Sequence, residues 1–281
     1  MPSPSERLVR RVFHARGYAS REIATSIGKV HYLECEGGGA LPPMVFVHGF
    51  AASGVQMAPL VGLMRSKVRR VTLVDLPGHG FSEIPSGVFD TNALLQGIIE
   101  ALGGIIREPV VLLGNSMGGY ISLRFALHSP QKLQKLVLVS PGGAAMDQAT
   151  LDDMRKIFHV QSHGDALEFV DRLLGRPSLM RHLFALSVRR RLSRKDLLGV
   201  LDAIKVEQLL AAADVAKLAV PALVVWGQGD RILPRENLEF FRSHLPAHSR
   251  VVEPAGLGHS PYLEAPGMLA KLVLDFMRET P

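Results

Sequence analysis

Short apolar runs recur along the chain, and most of them show no alternation of polar with apolar positions. They are PMVFVHG (43–49), RRVTLVD (69–75), PVVLLGN (109–115), KLVLVS (135–140), VPALVVWG (220–227) and SRVVEP (249–254). A strand buried on one face alternates, whereas one buried on both faces reads as a continuous apolar run. The pattern therefore predicts a parallel sheet covered on both sides. Helix-length segments lie between the runs: TNALLQGIIEALGGIIR (91–107), SMGGYISLRFALHS (116–129) and, last, LEAPGMLAKLVLDFMRE (263–279). Repeated strand–helix units of this kind define an α/β fold, a mostly parallel central sheet with helices on both faces. Ahead of them, REIATSIGKVHYLECEGGG (21–39) reads as two strands around Ile27-Gly28, an antiparallel hairpin at the sheet edge.

The rhythm breaks between about Gly143 and Leu218. That stretch holds amphipathic patterns such as LDDMRKIFHV, DALEFVDRLL and RKDLLGVLDAI, and no strand pattern. The expected organisation is a core of residues 1–143 and 219–281 interrupted by a helical cap, 144–218, inserted late in the sheet. Ligands of open α/β sheets bind outside the carboxyl ends of the strands. An insertion between two strand ends is placed to roof such a site.

Chemistry enters with LLGNSMGGY (112–120). A Gly-x-Ser-x-Gly pattern at a strand-to-helix junction forms a sharp turn that lifts the serine out as a nucleophile. Ser116 would then sit at the start of the 116–129 helix, where the dipole favours a developing anion. A serine hydroxyl needs a base. Of the eleven histidines, His259 in GLGHSPYLEAP (256–266) follows the last strand and leaves the same sheet edge as Ser116. Its imidazole in turn needs a carboxylate, and Asp230 in VVWGQGDRILP (224–234) directly follows the penultimate strand; Asp147 is the second candidate. Asp230 also reads as a helix N-cap before Leu233-Pro234. An oxyanion would be held by the backbone N–H groups of Met117 and Phe50, with His48 and Gly49 shaping the loop that carries Phe50.

HGFAASG (48–54), DLPGHGFS (75–82), GNSMGG (114–119), WGQGD (226–230) and GHSPYLEAP (258–266) together resemble the α/β-hydrolase superfamily. The resemblance runs over nearly the whole core and implies a Ser116–His259–Asp230 triad in that chain order, with His79 a structural loop residue. A serine nucleophile sets the chain apart from the superfamily's dehalogenases and epoxide hydrolases, which use aspartate. HGFAASG, SPGGA (140–144) and the capped layout resemble serine carboxylesterases and monoacylglycerol-lipase-like enzymes. GNSMGG followed by SPGG is also similar to the meta-cleavage-product hydrolases, which break a carbon–carbon bond. Against that group stand Phe50-Ala51-Ala52-Ser53 in place of a Ser-Gly-Pro-Gly-like loop, and Ser260 in place of an aromatic after the histidine. The expectation is a carboxylic ester hydrolase, with carbon–carbon hydrolysis the alternative and a ligand-binding role without turnover the third.

Composition changes the picture little. With 281 residues, 47% hydrophobic and 21% charged, the chain can bury a substantial core. The single cysteine, Cys35, forms no internal disulfide and no metal-site spacing, and it fits a reducing, cytoplasmic compartment. No metal or organic cofactor is expected. The net charge of +6 comes without RNP-like aromatics, zinc-finger spacing or a recognition helix, so no nucleic-acid partner is expected. No apolar run is long enough to span a membrane, and the N-terminus lacks the apolar stretch of a secretory signal. Glu6 to Arg16 reads either as an ordinary surface helix or as a basic amphipathic helix on a membrane surface. In the cap, Met154, Ile157, Phe158, Phe169, Leu173, Leu183 and Phe184 serve as an acyl pocket or as the cap's own core. Arg189, Arg190, Arg191, Arg194 and Lys195 read as a solvated face, or as a contact for anionic lipid or a substrate carboxylate. The partner expected is a small ester with an apolar acyl group; the sequence marks no oligomer interface.

Overall fold

The computed structural model describes residues 2–85 and 90–279. Helix α1 (Pro4–Ala15) leads into an edge hairpin, β1 (Ala19–Thr25) and β2 (Gly28–Glu36), which pairs antiparallel as expected, with Thr25 opposite Gly28 at the turn. The six predicted runs are strands β3 (Met44–Val47), β4 (Arg70–Val74), β5 (Val110–Asn115), β6 (Leu133–Val139), β7 (Ala222–Val225) and β8 (Arg250–Val252). All eight form one sheet in the order β1-β2-β4-β3-β5-β6-β7-β8, parallel from β4 onward.

The reason for the missing alternation is visible in the packing. Val45, Val47, Leu112, Leu136, Leu138 and Val224 enter one hydrophobic core, while Met44, Phe46, Leu113, Val137, Val139 and Val225 enter a second on the opposite face. Successive side chains of a strand point to opposite faces, so a strand between two cores must be apolar throughout. The second core is completed by Phe13 of α1, by α2 (Ala58–Met64) and by the final helix; the first is covered by α3 (Thr91–Ile105), by α4 (Met117–His128) and by the insertion.

The insertion is helical throughout its regular parts: α5 (Gln148–Phe158), α6 (His163–Leu173), α7 (Arg181–Leu192), α8 (Lys195–Asp202) and the short α9 (Ala212–Val215). It leaves after β6 and returns before β7, and its two ends are tied by an Ala144–Leu210 bridge, with the Leu210 N–H donating to Gly143 O at 2.7 Å. Beyond β7, α10 (Arg235–His244) packs Leu238 and Phe241 on the first core. The C-terminal run read as one helix is two, α11 (Pro261–Glu264) and α12 (Pro266–Arg278). Ala265 takes φ −144° and ψ 62° between them, because a residue before proline is driven out of the helical region. Among the described residues no helix is long and apolar enough to cross a membrane.

Candidate active site

Ser116 stands at the junction of β5 and α4 with φ 55° and ψ −119°. Such a conformation costs a non-glycine residue about 1–3 kcal/mol and persists only where its surroundings hold it. Those surroundings are clear. The Ser116 N–H donates to Val139 O on β6 at 3.0 Å, and Ser116 O accepts from the N–H groups of Tyr120 and Gly142. A Cβ on Gly114 would meet Gly118 O and Ser122 Oγ, and one on Gly118 would meet the carbonyls of Val47 and His48, all under 3.0 Å. The glycines flanking the serine are therefore required by close backbone approach.

His259 lies in the loop after β8, as expected from the order of elements, and lines one cavity of about 220 Å³ together with Ser116. Its N–H donates to Leu173 O of α6, and its carbonyl accepts from Asn115 Nδ2 at 3.0 Å. The residue before the serine thus anchors the loop that carries the histidine. Asp230 follows β7, and His259 Nδ1 lies 2.8 Å from Asp230 Oδ2. An ionised carboxylate can only accept, so Nδ1 carries the proton and Nε2 is left as the basic nitrogen. Asp230 Oδ1 meanwhile accepts from the N–H groups of Ile232 at 2.9 Å and Leu233 at 3.3 Å. The aspartate thus meets the imidazole with one oxygen and closes the turn before α10 with the other, while the N-cap position of that helix is Pro234 and not Asp230. Burial pushes its carboxyl upward, but the charge and hydrogen bond of His259 and the Ile232 N–H outweigh it, and the group lies below its usual range. Asp147 is elsewhere: it caps α5 through the Thr150 N–H.

The loop after β3 is held by two buried histidines. His48 donates from Nδ1 to Gly49 O and accepts the Leu76 N–H at Nε2. His79 donates from Nδ1 to Pro77 O and accepts the Ala51 N–H at Nε2, at 3.1 Å, where Ala51 has φ 54°. Each ring needs one bare nitrogen, so both must be neutral. Burial drives His48 down, and burial together with the neighbouring His48 takes His79 down to about 3. The loop they fix presents Phe50 to the cavity. Among the described residues the N–H groups of Phe50 and Met117 have no hydrogen-bond partner, while the Met117 side chain lines a neighbouring apolar cavity with Tyr120 and Leu197.

The apolar residues of the insertion divide. Phe158, Phe169, Leu173 and Phe184 line the cavity with Ser116. Met154 and Ile157 face a different, more polar one, and Leu183 is 60% exposed, so these three leave the acyl-pocket set. The basic run also divides: Arg191 lines the cavity, and its Nη2 lies 3.4 Å from Glu6 of α1, which accepts the Ser53 hydroxyl at 2.6 Å on the same oxygen. Burial raises the Glu6 carboxyl, and Arg191, Ser53 and Ser3 together bring it below its usual range. The sequence reading did not single out Arg191 from its basic run, and it missed Asn115 and Glu6 as site neighbours. The 3–4 spacing of Phe184, Ser187, Val188 and Arg191 was the available signal for the first. No group of three or more metal-ligating side chains occurs among the described residues.

A strained serine elbow on a mostly parallel sheet, with a carboxylate-bound histidine sharing its cavity, defines an α/β architecture arranged for hydrolysis. The family model described as "alpha/beta hydrolase fold" matches residues 42–266, and the chain belongs to that family of hydrolases. Among its relatives, a pimeloyl-[acyl-carrier protein] methyl ester esterase of Aeromonas hydrophila is 26% identical over 84% of this chain and 95% of its own length. Among solved structures, a membrane phospholipase A superposes with a TM-score of 0.81 at 23% identity, over 98% of this chain and 92% of the other. A 2-hydroxy-6-oxo-6-phenylhexa-2,4-dienoate hydrolase from Rhodococcus sp. strain RHA1 gives 0.80 at 20% identity, over 93% and 99%. At those identities the two structural likenesses are likenesses of fold.

Proposed function

We propose that the protein is a serine hydrolase of carboxylic esters, with Ser116 as nucleophile, His259 as general base and acid, and Asp230 as the carboxylate that fixes the imidazole. The observation that carries the reading is the Nδ1–H bond from His259 to Asp230 at 2.8 Å, on a histidine that shares an aromatic-lined cavity with Ser116. His259 Nε2 removes the Ser116 proton as Oγ attacks the ester carbonyl. The N–H groups of Phe50 and Met117 receive the oxyanion, each worth about 3–4 kcal/mol in the transition state. His259 then protonates the leaving alcohol, and a water repeats the sequence to release the acid. The insertion acts as a cap whose Phe158, Phe169 and Phe184 receive an apolar acyl group. The esterase named among the relatives supports the ester reading.

Arg191 favours a second reading. A guanidinium in the lining suits a substrate that carries an anionic group, and the Rhodococcus neighbour is named for a dienoate. Carbon–carbon bond hydrolysis is therefore the alternative. The test is turnover of p-nitrophenyl esters from acetate to palmitate by the wild type and Ser116→Ala. Serine-dependent turnover with a chain-length optimum, and a loss of at least about 10⁴-fold in kcat for the variant, is the expected result. A folded protein silent on every ester overturns the ester reading; turnover of a phenyl-dienoate vinylogous diketone would then establish the alternative.

A further inference from the structure

Helix α7 carries apolar side chains on two opposite faces. Phe184, Ser187, Val188 and Arg191 recur at helical spacing and line the cavity with Ser116. Successive residues of a helix turn by about 100°, which places His182, Leu183, Leu186, Arg189 and Arg190 on the far side. There Leu183 and Leu186 are 60% and 59% exposed, and Leu179 and Met180 just before the helix are 107% and 51% exposed. A helix apolar on one stripe needs one partner; this one has two stripes, and only the inner one is covered.

The segment that carries the outer stripe holds charge of one sign. From Arg172 to Lys195 the chain contains no aspartate or glutamate and eight lysines and arginines. Four of them are compensated from outside the segment: Arg172 by Glu168, Arg181 by Asp171, Arg191 by Glu6 and Arg194 by Asp196. Arg189, Arg190 and Lys195 are exposed and have no carboxylate in ion-pair range among the described residues. Exposed leucines with the uncompensated Arg189 and Arg190 on the same helix face match the acyl boundary and headgroups of an anionic leaflet. They do not suit a second copy of the chain, because a two-fold contact sets the same patch against itself and here brings cations against cations.

We infer that the outer face of α7 docks on an anionic phospholipid bilayer, with Leu179, Met180, Leu183 and Leu186 entering the headgroup–acyl boundary and Arg189 and Arg190 meeting lipid phosphates. One helix thickness, about 10 Å, then separates lipid from the Ser116 cavity. Docking needs no catalysis, so Ser116→Ala binds as the wild type does, and the inference stands or falls apart from the ester reading.

The test is co-sedimentation with extruded vesicles of phosphatidylglycerol and phosphatidylcholine, beside vesicles of phosphatidylcholine alone. The wild type is expected to pellet with the anionic vesicles and to be released by salt. Arg189→Gln with Arg190→Gln should weaken the partition about fivefold per cation removed, and Leu183→Ser with Leu186→Ser should weaken it about tenfold or more. Both pairs are exposed, and unchanged circular dichroism and melting temperature check that the variants fold. No binding to anionic vesicles, equal binding to neutral ones, or equal loss on replacing Arg7 and Arg11 of α1 instead would each overturn the assignment. So would sedimentation of the lipid-free wild type as a dimer that Leu183→Ser with Leu186→Ser dissociates.

Discussion

The two neutral histidines under the Phe50 loop make acid a specific threat to this fold. In the folded chain His79 takes a proton only near pH 3, whereas in the unfolded chain it does so near 6.5. Between those values the unfolded state binds the extra proton, so stability is fully present above about 6.5 and falls as pH falls towards 3. The slope is about 1.36 kcal/mol per pH unit, or about 2 kcal/mol between pH 6.5 and 5. His79→Gln should retain an acceptor for the Ala51 N–H while removing the titration. At neutral pH the variant loses the bond to Pro77 O and should be about 1 kcal/mol less stable. That deficit should vanish by about pH 5.5 and reverse below it, because only the wild type carries the His79 slope; the slope from His48 is common to both. Urea unfolding of the two proteins at half-unit steps from about pH 7.5 to 4.5 measures this directly. Parallel plots of unfolding free energy against pH would refute the claim that the loop is held by an imidazole kept neutral by burial.

Gly118→Ala should cost about 3 kcal/mol or more, since its Cβ would press on the Val47 and His48 carbonyls, whereas Gly62→Ala, with nothing within 4 Å, should be neutral or slightly stabilising; thermal melts compare them, and equal effects would contradict the packing argument. Asp230→Asn should lower kcat on the best ester by about 10⁴-fold with KM little changed; an unchanged kcat would remove Asp230 from the proposed mechanism.

Much of the candidate site is legible in the sequence because close backbone approach and strand order leave marks there. Gly114 and Gly118 are glycines for steric reasons that only an elbow creates, and Asp230 and His259 each follow a strand that ends on the same edge. Arg191 was not legible in the same way. Arg189, Arg190 and Arg191 are chemically identical neighbours, and what separates them is a helical rotation of 100° per residue within a segment whose two apolar stripes cancel the usual amphipathic signal. Leu183 and Phe184 separate for the same reason. The break at Ala265 was written in Pro266, but the apolar periodicity on either side of it masked the proline. Glu6 lay beyond local reading altogether, because its partners Ser53 and Arg191 come from the loop after β3 and from the insertion.

The bridge between Gly143–Ala144 and Leu210 has a bearing on how such a chain can change over generations. It pins the two ends of the insertion beside each other, so β6 and β7 meet the same boundary whatever lies between. The entropy of closing that excursion grows only as the logarithm of its length. Residues 145–209 can therefore be lengthened, shortened or exchanged at little cost to the register of Leu136 with Ala222. The insertion is thus free to drift while the strand register and the serine elbow after β5 are inherited intact.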